Sequence, residues 1–245
     1  MSALLALHGF TGSPRSWDFL PDQRRVRRFT PALLGHLGSS AGSDVVDFEA
    51  EVDRLAGLSA EADAVHVVGY SLGARLALGL ALRHPGRVSR LTLISGHPGL
   101  GSDAERNERR AADQHWCELL LSRGSTAFVD AWQAQPLWAT QAQLDAATLD
   151  RKRRERLSHD PAGLARSLRV TGLAEMPNYR HDLGRISVPL TLVAGGLDVK
   201  FRVLAEQMAK IIGHAELAIV DGAGHDLLLE RPEFITEVIR RGDQT

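Results

Sequence analysis

Gly69-Tyr70-Ser71-Leu72-Gly73 constrains this chain more than any other stretch. It follows the apolar run Val65-His66-Val67-Val68 and precedes the helix-favouring Ala74-Arg75-Leu76-Ala77-Leu78. An apolar strand, a tight turn and a helix are therefore read in that order, with a serine at the apex of the turn. Such a turn strains its central residue, and glycines on either side allow the close backbone packing it needs. The serine oxygen then sits at a helix N-terminus, where backbone N–H groups favour developing negative charge. The pentapeptide alone is a weak pattern, and the competing reading is an ordinary strand-to-helix turn. Its flanks carry the weight.

The rest of the chain repeats this rhythm. Ala3–Leu7, Ala64–Val68, Val88–Ile94, Leu190–Ala194 and Glu216–Val220 read as buried strands, with Val26–Thr30 a weaker one. Leu72–Arg83, Arg202–Ile212 and Pro232–Arg241 read as helices. Near-continuous apolar strands alternating with helices predict a mostly parallel sheet covered on both faces. The rhythm breaks between residues 100 and 183, where charge rises and helical periodicity takes over. Glu105–Leu121, Ser125–Gln133, Gln141–Ser158 and Ala162–Leu173 are the candidate helices there. An insertion after a strand's carboxyl end lies where open α/β sheets keep their ligands. The expected organisation is a core of residues 1–99 and 184–245 with a helical cap over residues 100–183. A set of plain surface helices is the blander reading.

Composition excludes several function classes. Lys and Arg total 29 against 30 Asp and Glu, a net charge of −1. No global basic field exists to hold nucleic acid or an anionic membrane, so any anion must be met by a local cluster. The single cysteine, Cys117, forbids an intramolecular disulfide and reads as a buried apolar side chain. The first residues run straight into Ala3–Leu7 without a charged leader or cleavage site, and no apolar stretch reaches spanning length. A cytoplasmic protein is expected, a monomer or weak homo-oligomer, with no nucleic-acid or membrane partner.

If Ser71 is a nucleophile or base, it needs a histidine and an acid. The α/β-hydrolase fold orders them serine, acid, histidine, each after a strand. His225 follows the last strand in Asp221-Gly222-Ala223-Gly224-His225, and its glycines let the loop curl towards Ser71. Asp198 follows the preceding strand after Gly195-Gly196-Leu197. A neutral imidazole can take the serine proton, and the aspartate can hold its tautomer. Asp221 is the rival acid, but it shares the histidine's own loop. His8-Gly9-Phe10-Thr11-Gly12 follows the first strand. Such a turn donates one backbone N–H to an oxyanion hole and the residue after the serine donates the other, here Phe10 and Leu72. Because the first strand already carries this turn, the N-terminal hairpin common in such folds is missing, and about six strands are expected.

Arg75 lies one helical turn beyond Ser71, on the same side, where its guanidinium could grip a carboxylate in bidentate fashion. A solvated surface arginine is the alternative. Further along stand Gly96-His97-Pro98-Gly99-Leu100, Glu105-Arg106-Asn107-Glu108-Arg109, Trp132 to Pro136, Arg151-Lys152-Arg153-Arg154-Glu155-Arg156 and Asp198-Val199-Lys200-Phe201. With the serine and histidine turns, these residues resemble the 2-succinyl-6-hydroxy-2,4-cyclohexadiene-1-carboxylate synthases of menaquinone biosynthesis over nearly the whole chain. The resemblance implies a lyase that eliminates pyruvate from a cyclohexene bearing an enolpyruvyl group and three carboxylates. It implies substrate binding by Arg75, Arg109 and Arg156, with Arg153 or Arg154 as alternatives to the last, and a pocket lined by Tyr70 and Trp132. It implies proton removal by Ser71 without an acyl-enzyme, and no cofactor or metal. A carboxylesterase or carbon–carbon hydrolase with the same three residues is the rival. A binding protein that has lost catalysis is the other, although it would be expected to lack one of the three. One loop departs from the common pattern. Pro31-Ala32-Leu33-Leu34-Gly35-His36-Leu37-Gly38-Ser39 stands where the fold usually has an Asp-Leu-Pro-Gly-His-Gly type, so its hydrogen bonding must differ.

Overall fold

The computed structural model describes residues 2–22 and 26–242, so the outermost ends of the expected core, residues 1 and 243–245, lie outside it together with 23–25. Among the described residues six strands form one sheet: β1 Ser2–Leu7, β2 Val26–Phe29, β3 Val65–Tyr70, β4 Val88–Ile94, β5 Leu190–Gly195 and β6 Glu216–Val220. Their order is β2-β1-β3-β4-β5-β6, and every pairing is parallel. Every residue of β3 and β5 is buried, which explains their uninterrupted apolar runs.

Side-chain alternation along the strands divides the core in two. On one face Leu5, Leu7, Val67, Leu91 and Leu192 pack with α1 (Phe48–Leu58), α2 (Leu72–Arg83) and α6 (Val199–Ile212). On the other, Leu4, Ala6, Val68 and Val193 pack with Trp17, Leu20 and the α8 (Pro232–Gly242) residues Ile235 and Ile239. A one-turn helix α7, Leu227–Glu230, precedes α8. The sequence reading passes over α1. Its Asp47 side chain accepts the Ala50 N–H, and Phe48, Val52, Leu55 and Ala56 form its buried stripe.

Helix α1 also resolves the unusual 31–39 loop. Glu51, fully buried, accepts the Leu34 N–H at 2.9 Å and pairs with Arg54 at 2.7 Å. Arg54 in turn donates to the Ala32 carbonyl at 3.2 Å. A buried carboxylate is tolerable here because both oxygens meet charge-assisted or backbone donors.

Between β4 and β5 lie α3 (Asp103–Gln133), α4 (Ala146–Leu157) and α5 (Pro161–Thr171). Helix α3 is two helices meeting at Gly124, whose φ of 76° leaves the helical region. A single helix over Gln141–Ser158 does not form. Pro136–Gln143 is 3₁₀, and Asp145 then caps a new helix by accepting the Thr148 N–H at 2.8 Å. These helices bury a third apolar cluster, including Cys117, Phe128, Trp132, Trp138 and Leu164. Burial raises the Cys117 pKa, which keeps it a thiol. Among the described residues no helix is long and apolar enough to cross a membrane.

Candidate active site

Ser71 occupies the turn between β3 and α2 with φ 52° and ψ −106°, a strained conformation for a residue with a side chain. Its N–H donates to the Ile94 carbonyl at 2.9 Å, tying the turn to β4. The turn can be this tight only because its flanks are glycine. A Cβ on Gly69 would lie 2.2 Å from the Gly73 carbonyl oxygen, and one on Gly73 would lie 2.1 Å from that of Leu7.

The loops after β5 and β6 bring the partners in. The Ser71 hydroxyl lies 3.0 Å from His225 Nε2, and His225 Nδ1 lies 2.6 Å from Asp198 Oδ2. A carboxylate at Nδ1 requires the proton there, which leaves Nε2 free to accept from the serine. Both His225 and Asp198 are buried. Asp221, the rival acid, is exposed and takes no part. The histidine loop is itself braced: Ser95 donates to the His225 carbonyl at 3.0 Å, and Gly224 N–H donates to Glu230 at 2.7 Å. The Phe201 ring packs against the imidazole with centroids 4.4 Å apart.

One cavity is lined by Phe10, Tyr70, Ser71, Leu72, Arg75, Arg109, Trp132 and His225 among others. Eight of the ten residues read from the sequence thus meet in one place; Asp198 stands behind His225. Arg75 is no solvated arginine. It donates to the Thr171 carbonyl at 2.9 Å, and burial, reinforced by Arg109 nearby, pushes its pKa down to about 9. Arg109 is held by Asp113, with Nη2 at 2.8 Å from its carboxylate.

Arg156 stands back from this cavity and does not line it directly. It lies over the ring of Trp138, 5.0 Å from the centroid, and Trp138 does line the cavity. Arg156 is 1% exposed, and its Nε and Nη1 have no hydrogen-bond partner among the described residues. Burial lowers its pKa, and Asp226 opposes that shift. The alternatives point elsewhere: Arg153 pairs with Asp130 at 2.6 Å, and Arg154 pairs with Asp150 on the surface.

Other buried donors share this neighbourhood without partners among the described residues: Tyr70 Oη, Trp132 Nε1 and Trp138 Nε1. Orphaned buried donors are costly to a fold unless they meet an acceptor. Reading by motif also passes over His97 as a site residue. It lines the cavity, accepts the Gly99 N–H at Nδ1, and is pushed down to about 3 by burial and by Lys200 and Arg75. Its position just beyond the carboxyl end of β4 is the signal that could have found it.

The alpha/beta hydrolase family pattern matches residues 4–238. Among known proteins, the chain is 34% identical to the "Putative 2-succinyl-6-hydroxy-2,4-cyclohexadiene-1-carboxylate synthase" of Bacillus subtilis (strain 168), over 97% of this chain and 88% of that protein. It is 32% identical to the synthase of the same name from Salmonella heidelberg (strain SL476), over 96% and 91% of the two chains. Among solved structures, MenH from S. aureus superposes with a TM-score of 0.93 at 28% identity, covering 100% of this chain and 95% of that one. A thermophilic esterase from Thermogutta terrifontis superposes at 0.84 with 23% identity, covering 100% and 90%, a likeness of fold.

Proposed function

The chain belongs to the α/β-hydrolase family and, within it, to the 2-succinyl-6-hydroxy-2,4-cyclohexadiene-1-carboxylate synthases, and from that premise we propose that Ser71, His225 and Asp198 carry its chemistry. The protein is a lyase. It eliminates pyruvate from 2-succinyl-5-enolpyruvyl-6-hydroxy-3-cyclohexene-1-carboxylate to give 2-succinyl-6-hydroxy-2,4-cyclohexadiene-1-carboxylate.

The two structures define the bond changes. The ring double bond at C3 becomes a diene at C2 and C4, so the hydrogen at C2 is lost and the C5–O bond breaks. C2 is α to the succinyl ketone, so its proton is the acidic one and the charge that develops falls on the ketone oxygen. In the proposed mechanism Ser71 Oγ takes this proton as its own passes to His225 Nε2, and Asp198 stabilises the imidazolium. The Phe10 and Leu72 N–H groups receive the enolate oxygen. The dienolate then collapses, expelling enolpyruvate from C5, and the proton held by His225 is returned as the enol becomes pyruvate. No electrons are gained or lost overall, and no bond to Ser71 forms, so these steps call for no cofactor.

The observation that carries this reading is the set of donors in and around the cavity at Ser71. Arg75 and Arg109 border the cavity, while Arg156, Tyr70 and Trp132 offer unpartnered N–H or O–H groups. A chain of net charge −1 has concentrated cationic and neutral donors at one serine. A tricarboxylate needs such a site, whereas a simple ester does not. We assign Arg75, Arg109 and Arg156, with Tyr70 and Trp132, to substrate binding, and residues 100–183 to a cap over a core of 1–99 and 184–245. A small, multiply charged biosynthetic substrate supports a cytoplasmic setting. The test is a coupled assay in which released pyruvate is reduced by NADH. Wild-type protein is expected to release one pyruvate per substrate consumed. Unchanged precursor, together with turnover of activated esters, would refute the assignment.

A further inference from the structure

Three buried histidines surround the turn that bears Phe10, and none belongs to the Ser71 chain. Each grips a different peptide of the turn. Gly9 O accepts from His8 Nδ1 at 2.8 Å as well as from the Gly12 N–H at 3.0 Å. In a trans peptide the N–H points opposite to the C=O, so these two bonds aim the Phe10 N–H. The next peptide is held by His36, whose Nε2 accepts the Thr11 N–H at 3.1 Å. The one after is held by His159, whose Nε2 lies 3.2 Å from Thr11 O.

The tautomers follow from the other ends of the rings. Leu37 N–H donates to His159 Nδ1 at 3.0 Å, so His159 Nε2 carries the proton and donates to Thr11. His36 Nδ1 donates to the Leu34 carbonyl at 3.1 Å, so its Nε2 accepts. The rings of His36 and His159 meet edge to face, 5.2 Å apart, and those of His36 and His8 likewise at 4.8 Å. Burial depresses the pKa of all three, which keeps them neutral and so preserves these donor and acceptor roles. Thr11 itself has φ 62°, an outlier for a β-branched residue that persists only where its surroundings over-determine it. His8 and His36 lie in the loops that follow β1 and β2, whereas His159 joins α4 to α5 in the inserted helices. Glu155 of α4 adds a second tie, accepting from Ser13 at 2.5 Å just beyond the turn.

We propose that His159 is a positioning residue, through which the seating of the inserted helices on the core sets the direction of the Phe10 N–H. This deepens the reading of Phe10 as an oxyanion donor and rests on it. Three variants separate the donor from the bulk of the ring. His159→Gln keeps an N–H near the Nε2 position. His159→Asn keeps a partner for Leu37 but does not reach Thr11. His159→Leu removes both.

In the pyruvate assay, kcat is expected to fall about 10-fold or more in the Asn and Leu variants, with KM within about twofold of wild type. His159→Gln is expected to recover kcat to within about threefold of wild type. A packing role alone would lower melting temperature without this split. Equal kcat in all variants, a loss confined to KM, or an equal fall in Gln, Asn and Leu would overturn the proposal. Should His159→Leu not fold, His159→Asn decides the question. Wild-type protein that releases no pyruvate would instead refute the functional assignment, so the two failures are distinguishable.

Discussion

Replacing Arg156 with methionine should stabilise the fold and impair the enzyme at the same time. Arg156 is 1% exposed, and two of its guanidinium nitrogens have no partner among the described residues. Each buried orphan donor costs about 1–3 kcal/mol. The stacking on Trp138 returns about 1–2 kcal/mol, and Asp226 loses little, since Lys152 remains 3.8 Å from it. Methionine fills similar space and adapts its shape to the apolar ring. The net effect is a gain of about 1–3 kcal/mol, the sign expected when a buried charge gives way to a hydrophobic side chain. At about 2–4 °C per kcal/mol for a chain of this size, thermal melting should move up by several degrees. Removing one charge-assisted bond to a substrate carboxylate should cost about 1.5–3 kcal/mol of transition-state binding, or roughly 10- to 150-fold in kcat/KM. Melting and steady-state pyruvate release on the same preparation test both halves. A variant that melts lower while keeping full kcat/KM would make Arg156 a structural residue and remove it from substrate binding.

Three further outcomes follow from the same geometry. Arg75→Ala should lower kcat/KM at least about 10-fold in the pyruvate assay, since it removes a part-buried guanidinium from the cavity; an unchanged value would leave Arg75 as no more than a tie to Thr171. Glu230→Ala strands the Gly224 N–H and frees Thr140, so it should cost about 1–3 kcal/mol in urea denaturation and reduce kcat by loosening the His225 loop; full stability and turnover would contradict that bracing. Stability should also fall between pH 6.5 and 5. His8 and His97 are pushed down to about 4 and about 3 when folded, so the unfolded chain binds protons that the folded chain refuses. Their contribution is complete above pH 6.5 and is lost as pH drops towards the folded values, about 2 kcal/mol for each by pH 5. Urea midpoints that stay flat between pH 7.5 and 5 would show that these rings accept protons in the folded state.

The parts of the site legible in the sequence are those that local chain geometry forces. A serine between two glycines, after an apolar run and before a helix, can hardly sit anywhere but at a strand-to-helix turn. His225 and Asp198 are legible because each ends a strand in a fold whose strand order brings those ends together. Helical spacing puts Arg75 on the serine's side of the helix, and the family resemblance adds its role at a carboxylate. What escapes is set by long-range packing. Nothing local separates Arg156 from Arg153 and Arg154; the difference is that α4 turns only Arg156 towards Trp138. His159 meets Thr11 across 148 residues, a contact with no periodicity to betray it. The break at Asp145 has a capping signal, yet Gln141–Ser158 carries enough helix formers to read as one piece. Helix α1 carries its own cap and stripe, but a strand–helix rhythm can be counted without it.

In the proposed mechanism Ser71 removes a proton and is never acylated. Intact-protein mass spectrometry of enzyme quenched during turnover of the enolpyruvyl substrate tests this directly. Protein of unmodified mass is expected throughout while pyruvate accumulates in the same samples. A covalent adduct on Ser71 that rises and decays with turnover would contradict it.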